Sequence, residues 1–138
     1  MIARAGGIGA VVAGMAAHRS ITAVQEEGCT ALVNLGGNHA ENKTAIARAG
    51  GIETVLAGMG VHRSITEVQT RGCAALANLG ASNAEKRTAI ARAGGIEAVV
   101  AGMVAHISVA GVQEQGCAVL RNLAVNDGDG GPLGAQGP

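Results

Sequence analysis

An all-α solenoid of stacked three-helix repeats is the fold class this sequence predicts, and three observations carry the prediction. Residues 46–89 repeat residues 2–45 with 29 identities in 44 aligned positions, and the unit begins again at Ile90. A period of this size marks supersecondary units that stack in a row, each covering a neighbour's apolar face. Within each unit, apolar residues recur at i, i+3, i+4, i+7, the spacing of one helix face. Gly pairs and Ser or Asn residues punctuate the stripes where helices start and stop.

The first helix of a repeat is clearest over 84–93. Ser82 is its expected N-cap, with Glu85 three residues on as the capping-box partner, and Asn38 with Glu41 stands in the same relation one repeat earlier. Gly50–Gly51 and Gly94–Gly95 end this helix and turn the chain into the next. No Lys-Ser/Thr follows them, so a phosphate-cradling role is not indicated.

The second helix is expected over 52–61. Ile52, Val55, Leu56 and Met59 form a single apolar stripe. Gly58 within it costs roughly 1 kcal/mol relative to Ala, and its recurrence at Gly14 and Gly102 reads as close contact between helices. His62 sits at the helix end, where a side chain can bond the last carbonyls. The third helix is expected over 65–79, with Ser64 as N-cap and Glu67 completing a capping box. Ser20 and Ser108 keep the cap without the Glu. Val68, Gly72, Leu76 and Leu79 mark its buried stripe, with Cys73 and Ala75 beside them.

One domain is expected over 1–125, in repeats 2–45, 46–89 and 90–125, the first lacking most of its opening helix. Residues 126–138 are Gly-rich with no apolar period and read as a disordered tail. Neither end carries a polar capping helix. The ends are therefore expected to expose Ile8, Val11, Val12 or Met15 on one side and Val119, Leu120 and Leu123 on the other, as self-association patches.

Formal net charge is zero and Phe, Tyr and Trp are absent. Zero charge leaves no electrostatic footprint for nucleic acid or acidic lipid, and the missing aromatics remove base-stacking platforms. No span of membrane length stands uninterrupted. Three cysteines, one per repeat, do not make a disulfide framework, and an intracellular, cytoplasmic setting fits them. Stacked repeats lie about 8–10 Å apart, too far for equivalent cysteines to bridge or to share a zinc. Cys29, Cys73 and Cys117 therefore read as small core residues. Glu41, Glu53, Glu85 and Glu97 fall in helix first turns, where they favour the dipole. No cofactor, metal site or enzymatic activity is expected.

The segments GGIGAVVAGM…VQEEGCTALVNL, GGIETVLAGM…VQTRGCAALANL and GGIEAVVAGM…VQEQGCAVLRNL resemble the armadillo repeat, over residues 2–125. That resemblance implies a right-handed superhelix whose third helices line a concave groove for extended peptides. It also implies that Asn34, Asn78 and Asn122 hold a ligand backbone. Thr30, Ala74 and Ala118 stand where the family has a Trp, so slots for basic nuclear-import signals are missing. Helical geometry sets Asn78 away from the apolar stripe and on the same face as Ala74. Arg71, Arg121, Glu26, Glu27 and Glu114 belong to the corresponding faces. Alternatively, each Asn is a helix-end residue bonding an adjoining loop. The expected function is a protein-interaction scaffold binding an extended segment along the third-helix groove. The other reading is a structural module, or part of a longer solenoid, that stacks through its ends.

Overall fold

The computed structural model describes residues 6–81 and 83–125. Among them the chain is all-α, with eight helices and no strand. They are α1 (Gly7–Ala17), α2 (Thr22–Gly36), α3 (Ala40–Arg48), α4 (Gly51–Val61), α5 (Thr66–Gly80), α6 (Ala84–Arg92), α7 (Gly95–Ala105) and α8 (Ala110–Leu123). The expected tail over 126–138 and the reduced opening helix over 1–5 lie outside the described residues.

Equivalent helices lie side by side. α5 packs between α2 and α8, and α4 between α1 and α7. The core runs through all the repeats, and Ile46, Met59, Val68, Leu76, Leu79, Ile90, Val99 and Leu123 are essentially inaccessible to solvent. With no aromatic side chain available, packing is closed by pairing long flexible residues with glycine. Met15 lies over Gly28, Met59 over Gly72 and Met103 over Gly116. A Cβ on Gly72 would fall 2.7 Å from the Met59 Sδ, so the helices can approach only because that position is bare. Methionine suits the gap because its unbranched thioether adapts to an irregular one.

The corners after α3 and α6 depend on both residues of each Gly pair. Gly50 and Gly94 adopt φ of 87° and 89°, a left-handed conformation that L side chains seldom take. Gly51 is bare for a different reason. A Cβ there would meet Ile46 Cγ2 at 2.5 Å and the Ile46 carbonyl oxygen at 2.8 Å.

The caps depart from expectation. Ile21, Ile65 and Val109 occupy the N-cap positions of α2, α5 and α8, with no side-chain cap. Their amides close tight turns onto His18, His62 and His106 carbonyls, at 3.0, 3.0 and 2.9 Å. Ser20, Ser64 and Ser108 are thereby held inside the turns, one residue too early to cap. Asn38 does not cap α3 either, because His39 takes that position. At α6 the cap is Asn83, whose Oδ1 accepts the Lys86 amide at 2.9 Å. Ser82 lies outside the described residues.

Candidate functional site: the third-helix ridge and the two end faces

The joint between repeats is the most specific chemistry in the molecule, and it is made twice in the same way. Gln25 is buried, and its Nε2 donates to the Met15 and His18 carbonyls, both at 3.0 Å. Gln69 does the same to Met59 at 3.0 Å and His62 at 2.9 Å. Each Gln thus ties the end of one helix to the next helix of its own repeat. Its Oε1 then points into the following repeat. A Cβ on Gly58 would lie 2.6 Å from Gln25 Oε1, and one on Gly102 would lie 2.8 Å from Gln69 Oε1. Neither oxygen has a hydrogen-bond donor. The expected close helix contact at Gly58 is therefore a contact with the neighbouring repeat's Gln. The recurrence of Gln25, Gln69 and Gln113 alongside Gly14, Gly58 and Gly102 was the available signal for it.

Histidine adds a second tie. His62 Nε2 donates to the Arg19 carbonyl at 2.8 Å, while its Nδ1 faces the Thr22 hydroxyl at 3.3 Å. His106 repeats this with Arg63 at 2.8 Å and Thr66 at 3.2 Å. Donation from Nε2 leaves Nδ1 as the acceptor of the hydroxyl proton, which assigns the tautomer. His62 was expected to bond its own helix end, but it reaches back to the preceding repeat.

The asparagines behave likewise. Asn78 Nδ2 donates to the Gly37 carbonyl at 3.1 Å, and Asn122 Nδ2 donates to the Ala77 carbonyl at 2.9 Å. Asn122 is buried. These amides tie each third helix to the one before it and are not held out to a ligand. Asn34 is exposed. It has no earlier described repeat to bond.

What the third helices offer outward is a ridge. Glu27, Arg71 and Gln115 form one row across α2, α5 and α8, and half-buried Thr30, Ala74 and Ala118 form a low row beside it. Arg71 Nη1 donates to Glu27 at 3.2 Å and its Nε donates to Glu67 at 3.2 Å. The Glu27 bond is the chief cause raising the Arg71 pKa above its ordinary value. Glu27, Glu114 and Arg121 are exposed and Glu26 is half-buried. Because Thr30, Ala74 and Ala118 are small, this row is a shallow trough beside the polar one.

The end faces differ from expectation in an informative way. Ile8, Val12 and Met15 are buried, at 4%, 4% and 1% exposure. They lie on the side of α1 that faces the following repeat. The positions left open at this end are Ala10, Val11, Gly14, Val24 and Ala31, which with Met15, Glu27 and Gly28 line a hollow of about 480 Å³. At the other end Val119 and Leu123 are fully buried and Leu120 only half-buried. The open positions there are Ile96, Val100, Met103, Gln113 and Cys117, the counterparts of the buried Ile8, Val12, Met15, Gln25 and Cys29.

Burial holds the Cys29 and Cys73 thiols protonated, pushing their pKa values up to about 12 and about 11. Cys117 is exposed, so the expectation of a core cysteine holds for two positions and fails at the third. Among the described residues no cluster of three or more metal-ligating side chains occurs, and no single helix is long and apolar enough to cross a membrane.

Comparison with known proteins gives one structural likeness. The chain is similar to the crystal structure of an engineered protein solved by the Northeast Structural Genomics Consortium, with a TM-score of 0.73 and 26% identity over 85% of this chain. The chain spans 45% of that protein's length. No protein-family model and no curated protein matches the sequence.

Proposed function

We propose that the chain is an armadillo-type solenoid and acts as a non-catalytic protein-interaction scaffold. Its site is the ridge of α2, α5 and α8, and its ligand is an extended polypeptide lying across the three helices. The observation carrying this reading is the continuous pair of rows, polar Glu27–Arg71–Gln115 beside small Thr30–Ala74–Ala118. Side-by-side third helices repeat the same surface at regular spacing, which suits a chain segment with its own repeat distance. Recognition runs through the trough and its rim charges, because the Asn78 and Asn122 amides are committed to backbone carbonyls. Glu26, Glu27, Glu67 and Glu114 outnumber Arg71 and Arg121 on and around the ridge, favouring a segment with basic side chains.

Peptide-display selection against the wild type and Ala74→Arg in parallel tests this. The wild type is expected to enrich peptides that the variant fails to bind, since the new side chain fills and charges the trough. Equal enrichment and affinity for both would overturn the ridge as the site. Asn78→Ala is expected to lower stability, by about 0.5–1.5 kcal/mol for one hydrogen bond.

A further inference from the structure

Each end of the described stack carries one half of the joint that the chain makes internally between its repeats. We propose that the α7–α8 end face binds the α1–α2 end face of a second copy, head to tail, reproducing that joint. At the internal joints Gln25 and Gln69 push Oε1 against Gly58 and Gly102. Gln113 keeps the same anchoring bonds, to the Met103 and His106 carbonyls at 2.9 Å each, so its oxygen is aimed the same way. Gly14 is the unfilled receptor, with no heavy atom within 4 Å of a Cβ placed on it.

The surrounding apolar surface is matched too. Val11, Val24 and Ala31 are partly open, while their counterparts Val55, Val68 and Ala75 are 1%, 0% and 1% exposed beneath the preceding repeat. Conversely, Val100 is 43% exposed and Cys117 is exposed, while Leu56 and Cys73 are 9% and 0% exposed beneath the following repeat. His18 is exposed and unpartnered in the role His62 fills. In a stacked pair it meets the Ile107 carbonyl of the neighbouring copy.

Two of these side-chain contacts are altered in the copied joint, and the counterpart of α3, which packs on α1 and α2 at the internal joint, falls in residues 1–5, outside the described residues. Ala110 replaces Thr22 and Thr66, so the hydroxyl bond to the incoming His18 is absent. Ile107, 73% exposed, replaces Arg63, whose Nη1 reaches the Ala98 carbonyl at 2.8 Å. Ile107 would lie over Ala10, the counterpart of Ala98, and a charged contact becomes an apolar one. Val104, also exposed, stands where Ala16 and Gly60 remain exposed despite their neighbours. It lies outside the joint and does not obstruct it. Because the two faces differ, the contact is heterologous and does not close on itself, so growth is open-ended.

Sedimentation velocity on the full chain and two variants tests the inference. Gly14→Arg blocks one face in space that is empty in the single copy, and Val100→Glu charges the other at an exposed site. The wild type is expected to form a series of growing species as concentration rises. Each variant alone is expected to lose that series and remain monomeric, with an unchanged helical circular dichroism spectrum. An equimolar mixture of the two variants is expected to stop at a dimer, because one intact face of each kind remains. Maleimide labelling of wild-type Cys117 is expected to slow with increasing concentration, a readout that needs no variant. A wild type that stays monomeric throughout, association retained by either single variant, a mixture that stays monomeric, or concentration-independent labelling of Cys117 would each overturn the proposal. None of these outcomes bears on peptide binding at the ridge.

Discussion

A buried glutamine with one satisfied and one orphaned end sets the energetics at the residue scale. Gln69 donates twice from Nε2, and Gln113 makes the same two bonds from a half-buried position. Removing the Gln69 side chain strands the Met59 carbonyl in the interior, at about 1–3 kcal/mol for a buried group left unpaired, and takes one of two donors from the His62 carbonyl, which keeps the Ile65 amide. Gln69→Ala is therefore expected to lower stability by about 2 kcal/mol or more. Gln113→Ala should cost distinctly less, because water can reach its carbonyls. Urea denaturation compares the two, and an equal or larger loss for Gln113→Ala would contradict the placement. The thiols give a second reading at this scale. Cys29 and Cys73 are buried and held protonated, whereas Cys117 is exposed. One fast-reacting thiol is expected in the dilute native protein and three after denaturation, and two or three fast thiols in the native state would refute it. The raised pKa values also carry a sign. Stability from these thiols is complete below the ordinary thiol value of 9.0 and falls as pH climbs from there toward about 11 and about 12.

The second helix shows how one residue type takes opposite roles at the scale of the element. Gly14, Gly58 and Gly102 occupy the same position of α1, α4 and α7. Gly14 faces open space, and Gly58 faces a Gln oxygen fixed by two hydrogen bonds. Gly14→Ala is expected to raise stability by about 1 kcal/mol through helix propensity. Gly58→Ala is expected to lower it, because overpacking of about 1–3 kcal/mol outweighs the same gain. Thermal melts of both variants decide it, and a shift in the same direction for both would contradict the repeat joint. Element positions were readable from sequence because the stripe of Ile52, Val55, Leu56 and Met59 reflects local periodicity. The partner of Gly58 was signalled only by the joint recurrence of Gln and Gly, because Gln25 belongs to the preceding repeat and no local pattern encodes that meeting. The Ser caps failed for a related reason. Turns closed by the Ile21, Ile65 and Val109 amides place the serines outside the cap position.

For the whole molecule, stability is shared between neighbours, as in any stack whose units touch only the units beside them. The 44-residue period disclosed the units and their number. It did not disclose which side of a helix faces which neighbour, and for that reason Ile8 and Val12 were assigned to an open face that they do not line. It also did not disclose that Asn78 and Asn122 spend their amides on the preceding third helix. The ridge residues were legible as a face, since helical spacing alone sets Arg71 and Ala74 beside Asn78. Among the described helices α5 is held from both sides, while α1 and α8 are each held from one. Native-state hydrogen exchange of backbone amides tests it most directly, because protection reports the free energy of local opening. Slowest exchange is expected along α5, faster exchange along α1 and α8 in dilute solution, and a gain in protection at the end helices α1, α2, α7 and α8 as concentration rises. Exchange along α5 as fast as along α1, or protection at both ends that does not change with concentration, would contradict it.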